Sequence, residues 1–305
     1  MASVARSGTN AVPVACALCG AQTCVPVYRD RVRGFEQQFI IVRCAQCGLL
    51  RVASQPTPDE IARYYENYES HFIGARVRSP HEMERLARRD ADEIERLLSV
   101  LRFGDRTPRV LDTGCGQGHL VAECARRGWG AWGGAEVSQR RVASLRSRIP
   151  RAQFIAGSLP ELHLPQGYFD VVTMKHVLEH VAQPARALDA VRRSLRPEGM
   201  LLCEVPDVGY LRIRLRKRPM VNQLHLWHFT PRTVRRILEQ AGFRVLRTRY
   251  RDERAYSSPL SRVLLRRLQV SAENWLLGLG IGVGCNLLAV AQRPAASTDE
   301  ARAAG

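Results

Sequence analysis

Two Cys-x2-Cys pairs, Cys16 with Cys19 in "CALCG" and Cys44 with Cys47 in "CAQCG", are separated by 24 residues, and a glycine follows each pair. A two-residue spacer lets both thiolates of a pair face one ion, while the glycine lets the chain turn sharply beneath the sulfurs. Four thiolates close a tetrahedral shell with no open position, so the expected occupant is zinc in a structural role. Of the other cysteines, Cys115, Cys124, Cys203 and Cys285 read as small core residues, and Cys24 lies near enough to the pairs to be mistaken for a ligand.

A second group is the loop "VLDTGCGQGH" at 110–119, with Asp112 at the end of an apolar run and glycines at 114, 116 and 118. A dinucleotide loop needs G-x-G-x-x-G and a Walker loop needs Lys-Ser/Thr after its last glycine; neither is present. Alternate glycines instead let the backbone pass close to a ligand without interference from Cβ atoms. Glu136, 24 residues beyond Asp112, is placed to accept hydrogen bonds from ribose hydroxyls. A third group is histidine: His176 and His180 flank "VLE", and His225 and His228 flank "LW". Imidazole can take a proton near neutral pH, so both pairs are candidates for a general base.

These groups need a scaffold. "RVLDTG", "GAWGGAEV", "AQFIAG", "YFDVVTMK" and "GMLLCEVP" read as short strands, and "HLVAECARRG", "SQRRVASLRSRI" and "QPARALDAVRRSL" as the helices between them. Such alternation predicts an α/β fold, a mostly parallel sheet with helices on both faces, whose ligands bind at the carboxyl ends of the strands. Upstream, "DEIARYYENYESHF" and "SPHEMERLARRDADEIERLLSVLR" read as helices, the second capped by Ser79 with Pro80 at its first position. Tyr64, Tyr65 and Tyr68 on the first of these can reach a pocket, but ordinary packing is the expectation for them.

Here the chain resembles the class I S-adenosylmethionine-dependent methyltransferases. Asp112, Gly114, Gly116 and Gly118 match that family's first motif and Glu136 its ribose-binding carboxylate. Residues 168–206 resemble its fourth strand, fourth helix and fifth strand, and "LWHFTPRTVRRILEQAGFRV" at 226–245 its later helix and sixth strand. The resemblance implies a Rossmann-like sheet of seven strands, the last near 284–292. It also implies an S-adenosylmethionine site that includes Val137, Ser158, Leu159 and Lys175. Two positions depart from the family pattern: Thr113 replaces an aliphatic residue, and Ser158 stands where many relatives carry Asp beside the adenine. Zinc knuckles followed by a tyrosine-rich helix resemble sugar methyltransferases of antibiotic and surface-polysaccharide pathways. That resemblance implies a catalytic His before the later helix, for which His225 is the nearest match, with His180 and His176 behind it.

The expected organisation is a tail at 1–10, a zinc-binding ribbon at 11–55, a helical lid or linker at 56–104, a methyltransferase domain at 105–293 and a tail at 294–305. Residues 206–230 and 251–283 read as insertions that serve as substrate region or lid. The 305 residues carry a net charge of +17, and all but Lys175 and Lys217 of the 46 basic residues are arginine. Residues 211–270 concentrate that charge, and "YLRIRLRKRP" at 210–219 could grip a pyrophosphate, because guanidinium matches phosphate oxygens in a planar fork. The expected acceptor is therefore a small or lipid-linked, phosphorylated sugar-type molecule. "SSPLSRVLLRRLQV" at 257–270 reads as a basic amphipathic helix, consistent with peripheral contact at a membrane surface through 257–283. The apolar run 275–291 is short for a span, and "AVPVACAL" is short for a secretory leader, so a cytoplasmic protein is expected, with the inner membrane surface as its possible margin. Two alternatives stay open: an RNA methyltransferase, suggested by charge and zinc together, and a non-catalytic zinc-ribbon adaptor. No "NPPY"-like motif follows the fourth strand, where "MKHVLEH" stands instead, and nucleic acid is the less expected partner.

Overall fold

The apolar runs do become strands, and the glycine loop sits at the end of the first of them. The structure, a computed structural model, describes residues 12–13, 15–68, 79–101, 107–129, 132–207, 224–251, 268–277 except 273, and 286–295. The large sheet is built from β6 (Val110–Thr113), β7 (Trp132–Glu136), β8 (Gln153–Ala156), β9 (Phe169–Lys175), β10 (Leu195–Pro206), β12 (Arg244–Arg251) and β13 (Asn286–Gln292). Its order is β12-β13-β10-β9-β6-β7-β8. β13 runs antiparallel to both β10 and β12, whereas the five strands from β10 to β8 pair in parallel. The sequence reverses direction at β6, between the β9 and β7 sides, and there the glycine loop leaves the sheet.

Central strands of such a sheet are covered on both faces, and β9 shows it. Its residues 169–174 are all buried. Val171 packs with Ala91, Ile94, Leu98, Leu120 and Cys124, while Val172 and Met174 belong to the larger cluster that runs through the Cys-rich segment. The helices follow their caps. Helix α1 (Pro58–Glu66) starts at Thr57, whose hydroxyl accepts from Glu60 N while the Glu60 carboxylate accepts from Thr57 N. Helix α2 (Pro80–Leu98) repeats this box with Ser79 and Glu82. Helices α3 (His119–Arg126), α4 (Gln139–Arg148), α5 (Pro184–Ser194) and α6 (Pro231–Gln240) lie at the expected places, α4 capped by Ser138 and α6 by Thr230. Within the span read as a lid or linker, α2 contributes Ala91, Ile94 and Leu98 to the core. Arg127 after α3 reaches Asp92 at 2.6 Å and Glu95 at 3.0 Å, fixing α2 against α3.

The Cys-rich segment forms β2 (Cys24–Arg31), β3 (Gln38–Cys44) and β4 (Leu50–Val52), with the short pair β1 (Val12–Pro13) and β5 (Ser54–Gln55) beside it. The fourth strand of its sheet comes from far along the chain. β11 (Trp227–His228) pairs antiparallel with β4, Trp227 opposite Arg51 and His228 opposite Leu50. Sequence analysis did not foresee this pairing, because two residues carry no periodicity. Trp227 is buried and its indole Nε1 donates to Val181 O at 2.8 Å. The expected insertions at 206–230 and 251–283 and the basic run at 210–219 fall largely outside the described residues. No helix among the described residues is long and apolar enough to cross a membrane.

Trp227 fills the junction between the two sheets, so Trp227→Ala leaves a cavity and an unpaired Val181 carbonyl. It is expected to lower unfolding free energy by about 3–5 kcal/mol, measured by urea denaturation of the purified chain.

Candidate active site

The four cysteine thiols come together as the spacing predicts. Cys16 Sγ lies 3.4 Å from Cys47 Sγ, Cys19 Sγ lies 3.5 Å from Cys44 Sγ, and all four sulfurs are within 4.8 Å of one another. A tetrahedral zinc ion with bonds of about 2.3 Å separates its sulfurs by about 3.8 Å, so the cluster has the size of such a site. Each pair is formed by the same tight turn, in which Gly20 N donates to Cys16 O and Gly48 N to Cys44 O. Both glycines take φ between +70° and +80°, a region that L side chains disfavour. Cys24 is not part of the cluster. Cys115 is buried against Gly134, and burial pushes its thiol well above the usual range, so it has the inert environment of a core residue.

The glycine loop has a distinct job for each of its ends. A Cβ at Gly114 would lie 2.5 Å from Val177 Cγ2, so the loop and the segment after β9 are packed without room for a side chain. A Cβ at Gly116 would meet nothing within 4 Å, yet φ there is +55°, so the backbone turns toward open space. Gly118 caps α3. Glu136 ends β7 facing this loop: its Oε2 accepts from Gly116 N at 3.0 Å, and its Oε1 accepts from Arg141 Nη1 at 3.0 Å and Ser138 N at 3.3 Å. Asp112 is buried and accepts from the Thr173 hydroxyl; burial pushes its carboxyl up to about 6 against that hydrogen bond. Thr113, the departure from an aliphatic residue, is buried with its hydroxyl donating to Thr173 O at 2.8 Å, which makes its polarity harmless.

Of the remaining positions that the resemblance implies for a cofactor, Val137 follows Glu136 at the strand end, Leu159 is buried, and Ser158 is exposed with its hydroxyl on Leu159 O at 3.2 Å. Lys175 is engaged elsewhere: its ammonium pairs with Asp90 of α2. Asp90 also accepts from Arg251 at 2.6 Å, and Arg251 donates to Glu204 Oε2 at 3.0 Å, giving a buried chain of charges behind β9 and β10. The Lys175 and Arg251 charges outweigh burial and hold the Asp90 carboxyl below its ordinary range.

The two histidine pairs, 45 residues apart in the chain, form one cluster around Glu179. His176 has φ +50°, an uncommon conformation for a non-glycine residue, held by its N–H donating to Glu204 O at 2.8 Å. Its Nδ1 is 3.2 Å from Glu179 Oε1. His180 Nδ1 donates to Leu224 O at 2.6 Å, which leaves the Nε2 lone pair free; Nε2 lies 4.0 Å from Glu179 Oε1. The His225 ring meets the His180 ring edge-on at 4.8 Å and the His228 ring at 6.0 Å. Burial lowers the basicity of His180, of His225 strongly, and of His228 to about 4. Burial also opposes the charge of Glu179, but the hydrogen bond from His176 and the surrounding imidazoles bring its carboxyl down to about 2.

Two further groups, Glu179 and Tyr65, belong to this cluster. Glu179 is fully enclosed, and its Oε2 has no partner among the described residues. Tyr65 of α1 sets its ring edge-on to His180 at 6.2 Å, and its buried hydroxyl likewise has no partner among them. Ordinary packing was the expectation for all three tyrosines. It holds for Tyr64, whose hydroxyl accepts from Leu224 N at 3.3 Å, but does not account for Tyr65. The signal for Glu179 was the i, i+3, i+4 spacing of "HVLEH", which sets all three side chains around one turn.

With the site in view, comparison with known proteins decides the family. The pattern of the methyltransferase domain family matches residues 81–248, more than half of the chain. The chain belongs to that family. It is 35% identical over 142 residues to a "probable S-adenosylmethionine-dependent methyltransferase" of Mycolicibacterium smegmatis, covering 45% of this chain and 52% of that protein. It is 32% identical over 108 residues to a ubiquinone biosynthesis O-methyltransferase of Neisseria meningitidis, covering 32% and 43% respectively. The chain thus spans from 35% to 62% of the length of such curated relatives. Among solved structures, the 1,6-didemethyltoxoflavin-N1-methyltransferase of Burkholderia thailandensis, with bound 1,6-didemethyltoxoflavin and S-adenosylhomocysteine, superposes with a TM-score of 0.53 at 18% identity. The match covers 85% of this chain and 97% of that one. The fold is that of a class I methyltransferase.

Glu136 offers both carboxylate oxygens next to the open side of the loop. Charge-assisted hydrogen bonds contribute about 1.5–3 kcal/mol each, so Glu136→Ala is expected to weaken S-adenosylhomocysteine binding about 100-fold in calorimetry. Equal affinity in the two proteins would remove Glu136 from the cofactor site.

Proposed function

We propose that this chain transfers a methyl group from S-adenosylmethionine to a small or lipid-linked, phosphorylated sugar-type acceptor, with a structural zinc ion on Cys16, Cys19, Cys44 and Cys47. The observation that carries the reading is the packing of Val177 against Gly114, which brings the segment that carries His176, Glu179 and His180 next to the glycine loop. Glu136 would accept from the ribose hydroxyls, the backbone of Gly114, Gly116 and Gly118 would pass beside the methionine portion, and Asp112 and Val137 would also line the cofactor site. Ser158 and Leu159 would lie at the adenine. The methyl on a sulfonium is already activated, so the chain's task is to hold donor and acceptor in line and exclude water.

The acceptor must lose a proton. Imidazoles gathered beyond the end of β9 suit that step, with His225 as the base that the resemblance points to and His180 and His176 beside it. The relatives' names differ in what they act on, ubiquinone biosynthesis in one and 1,6-didemethyltoxoflavin in another. The sugar-type acceptor is supported by the sequence alone, through the arginines of 210–219 and the pairing of zinc knuckles with a tyrosine-rich helix. Peripheral membrane contact through 257–283 belongs to the same reading.

Methyl label from S-adenosylmethionine, offered with the purified chain to a cell extract split into nucleotide-sugar, lipid and RNA pools, is expected in the first or second pool. Label in RNA alone overturns the acceptor, and the absence of label together with absent cofactor binding overturns the enzyme. For the cysteine site, Cys44→Ser is expected to reduce bound zinc by one equivalent per chain, measured by elemental analysis, and to lower the unfolding temperature.

A further inference from the structure

Glu179, His180 and His225 each present one ligand atom, and these atoms lie within 4.8 Å of one another. Three further observations concern the same spot. First, Glu179 Oε2 is buried and has no hydrogen-bond partner among the described residues, and an enclosed carboxylate oxygen in that state carries a full desolvation cost. Second, His180 donates Nδ1–H to the Leu224 carbonyl at 2.6 Å, which fixes the ring and aims the Nε2 lone pair toward Glu179. A histidine metal ligand is held in this way, its other nitrogen bound to a backbone carbonyl. Third, His228 Nε2 and the Tyr65 hydroxyl are buried around the cluster and also lack partners, so the centre has polar capacity in excess of what the protein satisfies.

We infer that Glu179, His180 and His225 form a binding site for a first-row divalent transition cation, separate from the four-cysteine site, which holds the acceptor's oxygen during methyl transfer. Two imidazoles and one carboxylate are a donor set for Zn2+, Mn2+ or Fe2+ and are poor for Mg2+, which prefers oxygen and water. Three protein ligands leave positions open, as a catalytic site requires and a four-thiolate site forbids. Ligand atoms around such an ion sit about 3–3.5 Å apart, so side-chain movements of about 1 Å close the shell.

This rests on the methyl-transfer reading and reassigns one residue of it. With a cation bound, the His225 lone pair is committed to the metal, and the base becomes His176. Its Nδ1 faces Glu179 at 3.2 Å and its Nε2 faces Glu204 Oε1 at 3.8 Å, an oxygen that itself has no partner among the described residues. The acceptor's O–H bond breaks, its proton goes to His176 Nε2, and the electron pair left on oxygen forms the new O–CH3 bond. The pair of the breaking S–CH3 bond stays on sulfur, which becomes a neutral thioether.

The test is Mn2+ titration of the full chain, zinc-loaded as purified, followed by electron paramagnetic resonance of the free ion. Mn2+ is a poor partner for thiolates and so does not report on the cysteine site. One equivalent per chain is expected, with affinity lowered at least about 10-fold in both Glu179→Gln and His225→Asn, an effect that even outer partners of metal ligands produce. Exposed His81→Asn is expected to leave it unchanged. Circular dichroism and S-adenosylhomocysteine calorimetry on each variant separate loss of the site from loss of the fold. Absent Mn2+ binding, or equal binding by both folded variants, overturns the cation site; if S-adenosylhomocysteine still binds, methyl transfer with His225 as base survives. Failure of the wild type to bind S-adenosylhomocysteine overturns the underlying reading instead.

Discussion

Everything around the histidines depends on one stretch of backbone, residues 224–229, pinned from two sides. Leu226 N and Trp227 N both donate to Glu179 O, at 2.8 and 3.1 Å, while Leu226 O accepts from Val52 N at 3.0 Å. Buried backbone groups must find partners, and here the partners belong to the turn after β9 and to the Cys-rich sheet. The stretch is thus the seam between two parts of the chain that sequence analysis treats as separate. Leu224, Leu226, Trp227 and Phe229 are all buried in that seam. His225 and His228 can be carried at defined positions only because their neighbours are held so firmly. A site that closes the Cys16–Cys47 turns therefore stabilises more than a knuckle: it supports β3 and β4, hence β11, hence the rings that face Glu179.

Charge is arranged differently on the two sides of Glu204. Behind β9 and β10, Asp90, Lys175 and Arg251 neutralise one another and the Glu204 Oε2 atom, with each ion hydrogen-bonded. Such a network is costly to bury and tolerable only when its partners are complete. In front, Glu204 Oε1 lies 3.8 Å from His176 Nε2, and neither it nor Glu179 Oε2 has a hydrogen-bond partner among the described residues. The satisfied half ties α2 to the sheet. This division also explains Lys175: at the very end of β9, its amine serves the packed side.

What the sequence made legible was local or periodic. Strands β6 to β10, the Ser138 and Thr230 caps and the convergence of four cysteines all follow from spacing that a short window contains. The role of α2 was harder to see, because its charged residues suggest a solvent-exposed lid while Ala91, Ile94 and Leu98 form a buried stripe. The pairing of β11 with β4 was invisible, since Trp227 and His228 lie more than 170 positions from Leu50 and Arg51 and make a strand only in that company. Tyr65 was undervalued for a similar reason: its partner His180 is distant in sequence, and three tyrosines near one another look like ordinary packing. Glu136 was legible as a carboxylate at the right distance from Asp112, but not its hold by Arg141 and Gly116.

The contact between Gly114 and Val177 ties the two halves of the candidate site together. Val177 stands between His176 and the turn that carries Glu179 and His180, and its side chain occupies the space that a Cβ at position 114 would need. The strand ends of β6 and β9 are neighbours in the sheet, paired from Val110 to Thr113, so the two loops that leave them are bound to crowd one another. Glycine at 114 resolves the crowding in favour of Val177. A side chain there would push the turn away from the loop, and the histidines with it. The requirement for a small residue at this position is therefore imposed by the turn after β9 as much as by any ligand on the glycine loop.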